Sequence, residues 1–296
     1  MTLTPNIRAG LASVAVATIL VAMKAYASWT TGSAAMLGAL ADSTLDLIAS
    51  LVTLYSVRLA ATPADSQHRF GHGKAEAIAA FFQVVLISLS AFWIGVHAAG
   101  QLLAGARTSD AETGIGVAVI SVALTLLLVR YQRRVIARTG SLAISTDHVH
   151  YQSDLALNGA VIAALLLDQF ADIRGADAVA GIGIALWLLY NAYAASRKAI
   201  DQLMDREWPE ERRRAFVEIA NRHPELHGIH DLRTRTAGHR DFVQFHVWVD
   251  PDMTVGEAHR VMDEVEAKLA EEFPGVEILI HPDPAGNDEG GEETRL

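Results

Sequence analysis

Hydrophobic and polar positions divide the chain into two regimes. Over the first two thirds, long apolar runs are interrupted by short polar connectors. Over the last third, apolar positions recur singly, at helical or strand spacing. Six runs are long enough to cross ~30 Å of hydrocarbon at ~1.5 Å per residue. They lie near 8–28, 34–58, 75–103, 112–134, 141–168 and 177–200. The pattern predicts an all-α, six-helix transmembrane bundle over residues 1–206. Ala25-Tyr26-Ala27 resembles a leader-cleavage site after the first run. Lys24 closes that run, however, and Arg8 is the only basic residue before it, so the run is read as a retained helix.

From residue 207 the order becomes helix, strand, strand, helix, strand. Pro209 opens an amphipathic helix carrying Phe216, Ile219 and Ala220, which ends before Pro224. Residues 229–235 and 241–249 alternate as strands joined by a turn over 236–240. Thr254 caps the next helix, and Glu257 completes a capping box three residues on. Residues 276–280 form the last strand. The pattern predicts a small αββαβ domain of the α+β class over 207–284. The Gly- and Glu-rich tail, 285–296, is expected to be disordered.

Charge sharpens this division. The 296 residues are 51% hydrophobic and 20% charged, averages that lean only mildly toward a membrane protein. Residues 1–206 carry 14 Lys/Arg against 13 Asp/Glu, whereas residues 207–296 carry 10 against 21. The net charge of −10 therefore resides in the C-terminal third, which excludes a basic nucleic-acid binder. With the N-terminus in the cytosol, the inner side of the bundle holds Arg8, Arg58, Arg69, Lys74, Arg130, Arg133, Arg134, Arg138, Arg197, Lys198 and Arg206. The outer side holds only Arg107 and Arg174. This bias places both termini and the acidic domain in the cytosol. There is no cysteine, so a disulfide or thiolate metal site is excluded and any metal chemistry must use His and carboxylates.

The ionisable groups inside the apolar runs carry the chemistry. Asp42 and Asp46 lie four apart on the second run, and His150 and Asp154 repeat that spacing on the fifth. Each pair shares a helix face, ~12–14 Å deep. An ionised carboxylate there costs at least ~2.5–3 kcal/mol, so three of them need a cation. One imidazole and three carboxylates suit tetrahedral Zn²⁺, with Fe²⁺, Cd²⁺ and Mn²⁺ as further candidates. A second set, Asp65, His68 and His72, lies in the connector between runs two and three. In the soluble domain, His246 shares a strand face with Gln244 and Trp248. His230 sits opposite it if the hairpin pairs Arg235 with Asp241. His259 on the helix and His281 with Asp283 at the end of the last strand complete a third candidate set. His97, His223, His227 and His239 read as surface or packing residues, and His148 faces away from His150. No phosphate-cradling GxxxxGK[ST] loop occurs, so ATP is not expected as a driving force.

These residues resemble the cation diffusion facilitators. DxxxD on the second run, HxxxD on the fifth and a C-terminal α+β domain match that family in type and order. The strings Asp65-Ser66-Gln67-His68-Arg69-Phe70-Gly71-His72-Gly73-Lys74-Ala75-Glu76 and His150-Tyr151-Gln152-Ser153-Asp154 resemble its bacterial ferrous-iron/zinc efflux branch. The resemblance spans roughly residues 7–284. It implies a homodimer in the bacterial inner membrane that exports divalent metal in exchange for protons, with metal as substrate and regulator and no prosthetic group. It implies a transport site at Asp42, Asp46, His150 and Asp154, and a membrane-face site at Asp65, His68 and His72. It further implies a regulatory two-metal site at His230, His246, His259, His281 and Asp283 in a ferredoxin-like, copper-chaperone-like domain. Lys74 and Asp205 match an ion pair bracing the dimer. Pro282 departs from the pattern, offering no side-chain ligand where relatives have an amide. Two other classes fit less well. An intramembrane metallohydrolase is expected to carry an HExxH-type string, which is absent, and a metal sensor or scaffold without transport has no need of the intramembrane quartet.

Overall fold

The structure, a computed structural model, describes residues 4–31, 34–104, 115–171, 176–222, 227–238 and 240–286. Arg107, Arg174, His223, His239 and all but the first two residues of the expected tail lie outside the described residues. The chain divides into two compact units, Met1–Ile200 and Asp201–Leu296.

Six long helices build the first unit: α1 (Pro5–Thr31), α2 (Ala34–Ala60), α3 (Ala75–Ala104), α4 (Ile115–Thr139), α5 (Leu142–Ala171) and α6 (Ala176–Leu203). Among the described residues, four stretches are long and apolar enough to cross a membrane by length and composition: Pro5–Thr30, Ala39–Ala60, Ala75–Gly100 and Val179–Leu203. The other two helices carry ionisable groups along their length. α4 carries Arg130, Arg133, Arg134 and Arg138, and α5 carries Asp147, His148, His150 and Asp154. Apolar association is weak between helices in lipid, so small residues and buried hydrogen bonds hold such bundles. Both devices are present. A Cβ on Gly10 of α1 would meet the Leu54 backbone of α2 at 3.1 Å, so those helices approach closely only because the position is glycine. Ala9, Ala79 and Ala143 are likewise buried, packed with Ile7, Leu54, Val57, Val135 and Ile144.

The second unit contains α7 (Glu210–Ala220), β1 (His227–Ala237), β2 (Arg240–Val249), α8 (Val255–Glu272) and β3 (Val276–Pro284). β2 lies in the middle of a three-stranded sheet, antiparallel to β1 and parallel to β3. The parallel pair requires a crossover, and α8 provides it. Its capping box forms as expected, with Thr254 and Glu257 bonding reciprocally. Alternation along β2 separates the two sheet faces. Val243, Phe245 and Val247 pack against Phe216 of α7, Met262, Val265 and Leu269 of α8, and Ile280 of β3. Gln244, His246 and Trp248 therefore look the other way.

The hairpin is tighter than the expected turn over 236–240. β1 runs to Ala237, which pairs with Arg240, leaving two residues between the strands. Arg235 consequently pairs with Phe242 rather than Asp241, one residue out of the anticipated register. A register irregularity between His230 and Arg233 then restores His230 opposite His246. Asp231 sits within it at φ 46°, a left-handed conformation that a short polar side chain tolerates.

Candidate metal centres

Three groups of imidazole and carboxylate converge among the described residues, each with ligand atoms within 4.8 Å of one another. The first joins α2 to α5. His150 Nε2 lies 2.8 Å from Asp46 Oδ1, and Asp154, one turn along α5, completes the trio. Asp46 is buried and His150 nearly so, with side-chain exposures of 8% and 14%. Lys24 of α1 donates to Ser43 of α2 at 2.6 Å, the same turn of α2 that carries Asp42.

The second group lies in the connector between α2 and α3. Asp65 Oδ1 accepts the backbone N–H groups of His68 at 2.6 Å and Gln67 at 2.8 Å. These bonds, that from His68 foremost, hold the Asp65 carboxyl below its ordinary range. His68 Nδ1 and His72 Nε2 each lie 3.4 Å from the same carboxylate. The Thr62 hydroxyl donates to the Leu59 carbonyl at 2.6 Å and accepts from His72 Nδ1 at 2.9 Å. That arrangement puts the proton of a neutral His72 on Nδ1, so the Nε2 lone pair is aimed at Asp65. A lone pair facing a carboxylate needs a cation or a proton between them.

The third group repeats this logic on the sheet. His230, His246 and His281 are Cα partners across β1, β2 and β3 and form one row. Asp283, two residues along β3, accepts contacts from His246 Nδ1 at 2.8 Å and His230 Nε2 at 3.1 Å, with His281 Nε2 at 3.3 Å. His230 Nδ1 lies 2.9 Å from the Gly228 carbonyl, which can only accept, so Nδ1 carries a proton and Nε2, the atom facing Asp283, is the one that holds either a proton or a metal ion. The ring stacks on Trp248 at 4.2 Å, which fixes its plane. Partial burial pushes the Asp283 carboxyl up, but hydrogen bonds from His246 and His230 outweigh it and leave the group below its ordinary range.

Family comparison places the chain. Residues 10–204 match the cation efflux transmembrane domain, and residues 208–285 match the cytoplasmic domain of cation efflux proteins. The chain is 42% identical over 276 residues to the cation-efflux pump FieF of Yersinia pestis (strain Pestoides F), covering 93% of this chain and 92% of that protein. The FieF of Yersinia pseudotuberculosis serotype O:3 (strain YPIII) gives the same values. Among solved structures, the metal-bound C-terminal domain of the CzcD transporter from Thermotoga maritima is 27% identical, covering 25% of this chain and 87% of its own, at a TM-score of 0.24. The chain belongs to the cation diffusion facilitator family. As a cation diffusion facilitator of the iron/zinc branch it is a divalent-cation efflux protein and not an enzyme.

Not every sequence-expected ligand of this cation diffusion facilitator joins its group. Asp42 is exposed and stands one turn from Asp46, outside the converging trio. His259 lies on α8, against the opposite sheet face from the histidine row, with its Nε2 3.6 Å from Asp263. Within the second unit, Asp205 lies 3.7 Å from Arg235. His97 stacks on Trp93 at 5.3 Å and His148 is half-buried on α5.

Sequence reasoning passed over Asp147. It is fully buried on α5, one turn before His150, and accepts from Ser13, Gln132 and Gln83. A detectable signal was present, because Ser13 and Gln83 are polar residues within the apolar runs of α1 and α3.

Proposed function

We propose that this chain works as a homodimer that moves Zn²⁺, or the similar ions Fe²⁺, Cd²⁺ and Mn²⁺, from the cytosol across a bacterial inner membrane in exchange for protons. The observation that carries this reading is the convergence of Asp46, His150 and Asp154 from two apolar helices. The reading includes six spans with both termini cytosolic, supported by the six long helices and the eleven-to-two bias of basic residues. Asp42 supplies the fourth ligand once metal draws α2 and α5 together. Three ionised carboxylates and a neutral imidazole total −3, and a divalent ion reduces this to −1. Protons neutralise the same groups when the site opens outward, because a ligand holds metal only after losing its proton. Competition of metal and protons for one site couples their opposed movements.

Asp65, His68 and His72 form the capture site at the membrane face, and the histidine row with Asp283 senses cytosolic metal. His259 faces away from the row of its own protomer, so it reaches a shared metal only from a second copy. The Nε2 atoms of His72 and His230, each facing a carboxylate, support both assignments. The test is metal uptake into proteoliposomes containing the full chain, with Zn²⁺, Fe²⁺, Cd²⁺ and Mn²⁺ in competition and a pH-sensitive dye inside. Asp46→Ala is expected to lose uptake and proton counterflow together. Uptake equal to wild type would overturn the assignment of this site, and uptake without proton movement would overturn the antiport.

A further inference from the structure

A second polar centre lies one helical turn from the intramembrane trio and takes no part in the mechanism above. Asp147 Oδ2 accepts from Ser13 Oγ of α1 and from Gln132 Nε2 of α4, both at 2.7 Å, and Oδ1 accepts from Gln83 Nε2 of α3 at 3.2 Å. Gln83 also donates to Thr53 of α2 and approaches the Ala49 carbonyl of α2 at 3.5 Å. Tyr151 of α5 shares a hydrogen bond with Ser50 of α2 at 2.8 Å and lies 3.4 Å from the Ser13 carbonyl. Ser13, Ser50, Thr53, Gln83, Gln132, Asp147 and Tyr151 are all 0–1% exposed. Five helices, α1 to α5, thus meet around one carboxylate. In lipid the alternative to these bonds is an unsatisfied polar group, so such a knot fixes the arrangement of the helices that share it.

The knot's position gives it a consequence for metal. On α2, Ala49 and Ser50 stand one turn from Asp46. On α5, Asp147 and Tyr151 stand beside or one turn from His150. The knot therefore ties together the two helices whose ligands must converge. We infer that Asp147 is a positioning residue for the transport site, holding α5 against α2 so that Asp46, His150 and Asp154 meet within coordination distance. It touches no ligand and acts through helix placement alone. The inference rests on the reading of that trio as the transport site.

A further detail makes the role testable. Gln83 Oε1 and Gln132 Oε1 are buried and have no hydrogen-bond partner. An Asn at position 147 presents an amide N–H₂ toward these two amides, and either glutamine can turn over and offer its orphan oxygen. Asp147→Asn therefore keeps the knot while removing its charge, whereas Asp147→Ala removes the acceptor that Ser13 and both glutamines share, leaving Ser13 with the Ala9 carbonyl, Gln132 with Ser13, and Gln83 with α2 alone.

The experiment is Zn²⁺ uptake by the full chain in proteoliposomes, separating KM from kcat, for Asp147→Asn, Asp147→Ala and the control Asp46→Ala. Groups that orient metal ligands typically contribute 10–100-fold to metal affinity, so Asp147→Ala is expected to raise KM by about tenfold or more. Asp147→Asn is expected to stay within about twofold of wild type. An Asp147→Ala protein with wild-type KM overturns the inference. So does an Asp147→Asn protein as impaired as the alanine variant, because the charge and not the placement would then matter. Should Asp147→Ala fail to fold, Gln132→Met takes its place. It removes one donor, and an unchanged KM overturns the inference in the same way. Wild-type uptake by Asp46→Ala would instead sink the transport-site reading, so the two failures are distinct.

Discussion

A carboxylate is ready for metal once its proton is gone, and the hydrogen bonds around Asp65 and Asp283 keep both groups ready wherever the histidines beside them are neutral. Backbone N–H groups of His68 and Gln67 do this for Asp65, and imidazoles do it for Asp283 despite partial burial. Both groups sit below their ordinary range in the folded state, so each favours the fold at any pH above the unfolded value of ~3.9. That contribution disappears as pH falls below ~4 and through the lower folded value. The metal-free protein is therefore expected to lose stability in its cytoplasmic domain below pH ~4 partly through Asp283. Chemical unfolding followed by fluorescence of Trp208 and Trp248, across pH 3–7, should show a shallower acid loss in Asp283→Asn than in wild type. Identical slopes would remove Asp283 from the account.

Among the elements, the two strands of the hairpin decide whether the third centre forms. Period-2 alternation was enough to put His246 on the face away from the core, and the capping box and crossover helix were equally legible. The exact pairing was not. His230 reaches His246 through an irregularity near Asp231 that offsets a one-residue shift at the turn, and no spacing in the sequence encodes that compensation. Asp42 and His259 mark the same limit: helical spacing identifies a face, but not the point where a ligand lands or which side of a sheet it meets. Gly228 is an element-level requirement of another kind. Its φ is +57°, its carbonyl holds His230 Nδ1, and a Cβ there would stand 2.4 Å from Trp248 Cδ1. Gly228→Ala must shift the indole on which His230 stacks, and a non-glycine residue at that φ costs about 1–3 kcal/mol. Expected outcomes are a matching drop in domain stability and weaker Zn²⁺ binding by the histidine row, read by calorimetry with Asp65, His68 and His72 intact. Wild-type values for both quantities would show that strand pairing alone aligns the row.

Across the whole molecule, charge is partitioned. The transmembrane part is close to neutral and the last 90 residues carry −11, so two cytoplasmic domains brought together in a dimer repel each other. Each divalent ion captured by His230, His246, His281 and Asp283 adds two positive charges at the sheet face and offsets part of that repulsion. In the proposed homodimer, cytosolic metal is then expected to favour the associated domains and, through the shared dimer, to alter transport. Coupling between distinct sites typically amounts to 1–3 kcal/mol, or 5–150-fold in affinity. Replacing His230, His246 and His281 together by alanine is therefore expected to raise the KM for Zn²⁺ uptake at least fivefold while leaving kcat within about twofold. Salt provides the internal control. At ~1 M ionic strength charges are screened beyond ~3 Å, so repulsion fades and the gap between triple variant and wild type should narrow. A triple variant with wild-type KM at low salt would remove the histidine row from control of transport. A gap that persists undiminished at high salt would leave the row in control but assign its effect to coordination geometry, not to relief of charge.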